Sequence, residues 1–283
     1  MKVLRTIAAV RAAHGVARDA GQTIGLVPTM GFLHTGHASL MHAARRDTDL
    51  VTATIFVNPL QFAPTDDLAS YPRDLERDTE LAAAAGVDVL FVPDATEMFP
   101  DGEMQTTVRV DALARRWEGA SRLGHFAGVA TIVAKLFAIA GPCRAYFGEK
   151  DFQQLQVVRR MAFDLSLPVD VVGCPIVRET DGLALSSRNV YLTKEQRAAA
   201  PVLKAALDAA SAAIRAGERS GSAVEALVAK HIATEPLAEL DYIGAVDAAT
   251  LEPLRLLQGE IRLLLTARVG IPRLLDNCGL SLA

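Results

Sequence analysis

"TIGLVPTMGFLHTGHASLMHAARR", Thr23–Arg46, runs from an apolar segment through two glycines and two histidines into a helical pattern. Thr23–Thr29 is apolar at nearly every position rather than at every second one, as a strand buried on both faces should be. From Gly36 to Thr48 the apolar residues recur at helical spacing. A strand that hands over through glycine to a helix points backbone N–H groups and the positive helix end at an anion. Neither G-x-x-x-x-G-K-[ST] nor G-x-G-x-x-G is present; the turn reads His34-Thr35-Gly36-His37.

His34 and His37 stand one helical turn apart. Both imidazoles can then reach a triphosphate and donate hydrogen bonds to charge that develops as a phosphoanhydride breaks. Gly36 removes a side chain where a flat ring or a phosphate must approach the backbone. Two surface or capping histidines would give the same letters, but a buried strand leading into H-x-G-H favours ligand binding. No third ligand sits at metal spacing, so no protein-held metal is expected.

The same texture repeats outward from this stretch. Leu50–Asn58, Val87–Pro93, Cys143–Gly148 and Val169–Val177 read as buried strands, and Asp74–Ala85, Gly128–Ile139 and Asp151–Leu165 as helices. That alternation predicts an α/β fold with a parallel sheet covered on both sides, its ligands beyond the carboxyl ends of the strands. After about Val177 the pattern changes. A long helix over Lys194–Ala216, another over Ala223–Thr234, and short strands near Leu240–Val246 and Ile261–Arg268 predict a smaller α+β domain. The expected domains are 1–176 and 177–283, hinged close to Pro175–Glu179.

With 283 residues, 51% of them hydrophobic and 22% charged, the chain has ample core for one large or two ordinary domains. A net charge of −4 gives no general basic field, so neither nucleic acid nor anionic membrane is an expected partner. Arg11 and His14 interrupt the N-terminal apolar residues. Thr6–Ala20 therefore reads as an amphipathic helix rather than a secretion signal, and no apolar run approaches a membrane span. Cys143, Cys174 and Cys278 are odd in number, far apart and without a C-x-x-C pair. Reduced thiols and a cytoplasmic location are expected.

Three further motifs carry chemistry. In "DGLALSSRN", Asp181–Asn189, two hydroxyls beside a guanidinium make a phosphate clamp of Ser186, Ser187 and Arg188, unless they only cap the next helix. In "YFGEKDFQQLQVVRR", Tyr146–Arg160, Gly148-Glu149-Lys150-Asp151 closes a strand. Lys150 adds a point charge, Asp151 can accept from a ribose or cap a helix, and Gln153 and Gln154 follow. In "IFVNPLQFAPTDDLASYPRDLERD", Ile55–Asp78, the neutral amides of Asn58 and Gln61 suit a hydroxyl or carboxylate. Pro59, Pro64 and Pro72 break regular structure, so Ala63–Pro72 is expected to be a loop able to act as a lid.

Taken in order, "PTMGFLHTGH", "IFVNPLQF", "YPRDLERD", "GHFAGVATIVAKLF", "YFGEKDFQQ" and "LSSRN" resemble the pantoate–β-alanine ligase family across residues 27–189. The resemblance implies a Rossmann-like domain of the nucleotidyltransferase superfamily, a C-terminal domain that closes over the site, and a homodimer. It implies ATP as a substrate, with Mg²⁺ held mainly by phosphate oxygens and water. The implied reaction joins pantoate to β-alanine through a pantoyl adenylate, releasing pyrophosphate and then AMP.

Carried over residue by residue, the resemblance makes His37, His34, Lys150 and Arg188 catalytic. It lines the ATP site with Met30, Gly31, Phe32, Leu33, Thr35, Gly36, Gly148, Glu149, Asp151, Val177, Leu185, Ser186 and Ser187. Gln61 and Gln154 would hold pantoate, Gln61 also β-alanine, and Met30, Val129 and Val133 would pack the gem-dimethyl group. Leu185 departs from a usual Met, Phe32 and Thr35 vary within their motif, and Ala127 replaces a common Arg. Two other readings use the same residues. A related enzyme that makes a dinucleotide would lack the two glutamines and the Asn58-Pro59 turn, and a non-catalytic nucleotide-binding module would not need Ser186–Arg188.

Overall fold

A computed structural model describes residues 1–62, 68, 71–102 and 104–282. Most of the expected lid, Ala63–Pro72, lies outside the described residues. The chain forms two compact units, Met1–Glu149 with Gln153–Pro175, and Lys150–Phe152 with Ile176–Ala283.

The first unit is built on six parallel strands, β1 (Lys2–Leu4), β2 (Ile24–Thr29), β3 (Leu50–Ile55), β4 (Val89–Phe91), β5 (Cys143–Gly148) and β6 (Val169–Cys174), in the order β1-β4-β3-β2-β5-β6. Its helices are α1 (Ile7–Asp19), α2 (Thr35–Asp47), α3 (Leu75–Ala84), the single turns α4 (Ala95–Met98), α5 (Asp111–Ala114) and α6 (Glu118–Ser121), then α7 (His125–Ala140) and α8 (Phe152–Asp164). Leu26, Val27, Val51, Ala53, Ala145 and Tyr146 are all buried, which is why these strands read as continuous apolar runs. β1, too short to show a period, escapes the sequence reading. β3 stops at Ile55 rather than Asn58, because Asn58 caps a 3₁₀ turn instead of continuing the ladder.

From β2 the chain steps outward through β3 and β4, whereas β5 and β6 lie on the other side. The switch point is therefore the β2–β5 seam, the place where open α/β sheets bind ligands. The seam is also short. β2 keeps register with β3 as far as Thr29↔Ile55, but with β5 only to Leu26↔Ala145. Pro28, two residues on, has no N–H to extend a ladder.

His14 in α1 is fully buried; its Nδ1 donates to the Ala140 carbonyl at 3.3 Å and its Nε2 accepts from Thr52 Oγ1 at 2.8 Å. Burial holds its pKa below the ordinary 6.5. Below that value the unfolded chain takes up a proton that the folded chain refuses, so stability falls as pH drops through 6.5 toward the folded value. The urea midpoint should fall between about pH 7.5 and pH 5.5, and fall less in His14→Gln. Equal falls in both chains would remove His14 from the account.

In the second unit an antiparallel sheet, β7 (Ala238–Asp247), β8 (Gly259–Val269) and β9 (Arg273–Leu282), packs against α10 (Val202–Arg215) and α11 (Gly221–Ile232). Leu203, Leu207, Val224, Leu263 and Leu265 are among the core they share. The single helix expected over Lys194–Ala216 is in fact two, α9 (Lys194–Ala199) and α10, divided at Pro201, which cannot donate within a helix. Among the described residues no helix is long and apolar enough to cross a membrane.

Candidate active site

The H-x-G-H turn is held from below. Gly31 and Phe32 both take positive φ, +85° and +50°, and a Cβ at Gly31 would sit 2.9 Å from Ile55 Cγ2. Glycine is required there on both counts. The next two N–H groups, of Phe32 and Leu33, donate to Asp78 Oδ2 at 2.7 Å and Oδ1 at 2.6 Å. Asp78 projects from α3 and is 1% exposed. Burial pushes its carboxyl above the usual range, against the two N–H groups that hold it down. Leu33 itself lies in the core, so at that position only backbone is available to a ligand.

His34 is the N-cap of α2. Its Nδ1 accepts from Gly36 N at 3.1 Å, and His37 Nδ1 accepts in turn from His34 N at 3.3 Å, a capping box made from two imidazoles. The rings lie 4.1 Å apart, centroid to centroid. Capping and ligand binding are thus compatible rather than rival roles. An Nδ1 that accepts a backbone N–H cannot carry the proton of the neutral ring, so each Nε2 does, as a donor at the positive end of α2.

Beside this turn stands an amide cluster. Asn58 Oδ1 accepts from Leu60 N at 3.2 Å, and its Nδ2 donates to Gln61 Oε1 and to the Gly128 carbonyl, both at 3.1 Å. Gln61 Nε2 donates to Met30 Sδ at 3.0 Å, which brings two expected ligands together. His125 Nδ1 donates to the Gln61 carbonyl at 2.9 Å; Arg122 donates to the same carbonyl at 3.3 Å and to His125 Nε2 at 3.2 Å. This segment, beside the Ala127 departure, therefore anchors Gln61. Gly128 allows α7 to meet the 59–61 turn, since a Cβ there would lie 2.0 Å from the Leu60 carbonyl oxygen.

The adjacent glutamines divide their labour. Gln153 is buried, accepting from Glu118 N at 3.0 Å and donating to the Leu113 and Arg116 carbonyls at 2.8 and 2.9 Å. Gln154 is half-buried and has no side-chain hydrogen-bond partner among the described residues. Val129 and Val133 are core residues of α7.

Within the second unit, Lys150, Ser186, Arg188, Asn189 and Asp276 border a cleft of about 330 Å³, open solvent included. Lys150 Nζ rests 3.5 Å from Asp151 Oδ1. Ser186 Oγ accepts from Arg188 N at 3.2 Å, capping the 3₁₀ turn Ser187–Tyr191, so the expected clamp also serves as a cap. Leu185 N donates to the Val177 carbonyl at 3.0 Å, which pairs two of the residues expected to line the ATP site. Gly148 ends β5, and Glu149 opens the 3₁₀ turn Glu149–Asp151. Among the described residues no group of three or more His, Cys, Asp or Glu is placed to hold a metal ion.

Asp78, Arg122 and His125 hold the turn and the amide cluster, and the motifs did not single them out. Asp78 and His125 each fall inside a motif quoted above, Asp78 four residues after the helix-capping Asp74 and so on the same side of α3.

A family model described as pantoate-beta-alanine ligase matches residues 2–279. A pantothenate synthetase of Moorella thermoacetica is 53% identical over 98% of both chains, and one of a Roseiflexus species 52% identical over 99% of this chain and 100% of its own. Among solved structures, pantothenate synthetase from Thermus thermophilus superposes with a TM-score of 0.92 at 48% identity, covering 98% of this chain and 99% of the other. Pantoate-beta-alanine ligase from Francisella tularensis, solved with beta-gamma ATP and beta-alanine, gives 0.77 at 32% identity over 98% and 97%. With its H-x-G-H cap, its amide cluster and a match over nearly its whole length, the chain belongs to the pantoate–β-alanine ligase family.

Proposed function

We infer that the chain is an ATP-dependent ligase that joins pantoate to β-alanine through a pantoyl adenylate, yielding pantothenate, AMP and pyrophosphate. One observation supports the residue assignments above others. The two capping imidazoles accept backbone N–H groups at Nδ1, which places the proton of each neutral ring on Nε2 at a helix start.

A carboxylate acylates an amine poorly because its leaving group would be oxide; transfer to the α-phosphorus of ATP replaces that with AMP. The protein's part is positioning and charge stabilisation. His34 and His37 donate to the phosphates, with His37 nearest in role to a proton donor. Lys150 and Arg188 neutralise charge, and Ser186 and Ser187 add hydroxyl donors. Gln154 and Gln61 hold pantoate, Gln61 being anchored by Asn58, Arg122 and His125. Val177 presents backbone to adenine. Mg²⁺ would travel on the ATP phosphates and water and offset their charge. The family resemblance further supports a cytoplasmic homodimer.

The deciding experiment is pyrophosphate release from ATP that requires pantoate but not β-alanine in a single turnover. Release without pantoate, or none until β-alanine is added, would sink the adenylate route. Loss of the Gln154 amide should weaken pantoate by roughly 1–3 kcal/mol. Calorimetry on Gln154→Ala should accordingly show weaker pantoate binding and unchanged ATP binding. Equal loss of both would reassign the residue.

A further inference from the structure

Strand β9 carries Asp276 and Asn277 side by side, both buried, and each grips a different segment that bears an assigned phosphate ligand. Asn277 Nδ2 donates to the Lys150 carbonyl at 2.8 Å, while its Oδ1 accepts from Arg262 Nε at 2.7 Å. Arg262, in β8, lays its guanidinium 4.0 Å from the centre of the Phe152 ring. Residues 150 and 152 are thus both held from the antiparallel sheet. That accounts for Lys150–Phe152 belonging to the second unit rather than to the first, where the sequence places it.

Asp276 meanwhile takes Arg178 in a two-pronged pair at 2.6 and 2.8 Å, and Arg178 also donates to the Gly182 carbonyl at 3.0 Å. Arg178 and Gly182 belong to the hairpin that leads into Ser186 and Arg188, closed by the Arg178↔Ala184 bridge. One dipeptide in a core-packed strand therefore sets where Lys150 stands against Ser186 and Arg188.

Packing alone does not call for such a device. Apolar residues at 262 and 277 would fill the sheet without desolvating a guanidinium and an amide. What the polar pair adds is a directional grip on one carbonyl. We propose that Asn277 is a positioning residue for ATP, fixing Lys150 relative to the Ser186–Arg188 turn that Asp276 holds through Arg178. The proposal rests on the reading of these residues as ATP ligands.

In the full chain, Asn277→Ala should weaken ATP binding about ten-fold by calorimetry, with pantoate binding unchanged. In a Lys150→Ala background the same change should cost nothing further, a non-additivity that general loosening of the fold does not produce. Asn277→Asp keeps an acceptor for Arg262 but loses the donor to the Lys150 carbonyl. It should show the same ATP loss while still melting as a folded chain, which covers the case of an alanine variant that does not fold. Additive losses, or an Asn277→Asp chain with unaltered ATP affinity, would overturn the inference. Pantoate-dependent pyrophosphate release by the unaltered chain is measured alongside. Its absence overturns the ligase reading, whereas its presence with additive losses overturns only the role given to Asn277.

Discussion

His37→Gln should fold with near-native stability and lose adenylate formation by on the order of 2–4 kcal/mol in the barrier, the cost of removing a transition-state donor. Glutamine is the usual partner at this position of a capping box, so it can accept from His34 N as the imidazole does. Its amide Nε2 can still donate a hydrogen bond but cannot release a proton, so the variant keeps the cap and removes proton donation. His37→Ala mixes two effects, since the cap is lost as well, at a further cost of about 1 kcal/mol in stability. Thermal melts and single-turnover pyrophosphate release on both variants separate the terms. An active glutamine variant would show that His37 caps the helix and does no more.

Asp78→Asn should be as damaging to activity and worse for stability. The carboxylate accepts from two successive N–H groups, and the amide can accept from one at most while turning an NH₂ toward the other. One buried donor is left unsatisfied beside a clash of like dipoles, for a loss of about 2–3 kcal/mol. The turn it releases includes Phe32 at positive φ, a conformation a non-glycine residue keeps only under constraint. Once that turn relaxes, His34 and His37 lose their placement, and a displacement near 1 Å costs about a hundred-fold in rate. Urea unfolding and pyrophosphate release should therefore fall together. A variant that melts with the native chain and keeps its rate would mean that the turn is self-supporting.

The parallel sheet was legible because burial on both faces leaves its mark residue by residue, as in Leu26, Val27 and Ala53. The strand-to-helix turn was legible because few roles require H-x-G-H. Other features leave no such mark. Gln153 and Gln154 are the same letter twice, and only the 113–118 segment packed against the first tells them apart. β9 reads Arg-Leu-Leu-Asp-Asn-Cys-Gly, without clean alternation, because Asp276 and Asn277 are buried polar residues whose partners lie far away in the chain. Asp78 belongs to a quoted motif, but its purpose depends on where α3 sets it beneath residues 31–33. Pattern reports burial well; it reports buried polar pairing poorly, because the pairing partner is not local.

The short ladder between β2 and β5 also has a history in time. β3 follows β2 closely in the chain and covers one of its edges early. The other edge must wait for Cys143–Gly148, the most distant in sequence of all the neighbours paired in that sheet. A chain made from its N-terminus therefore carries the apolar Ile24–Thr29 with one side unpaired through a large part of its synthesis, open to any other nascent strand. When β5 does arrive, two residue pairs close the gap, across the largest loop the sheet has to order. The seam at the switch point of the sheet is the one that its own making leaves longest unguarded.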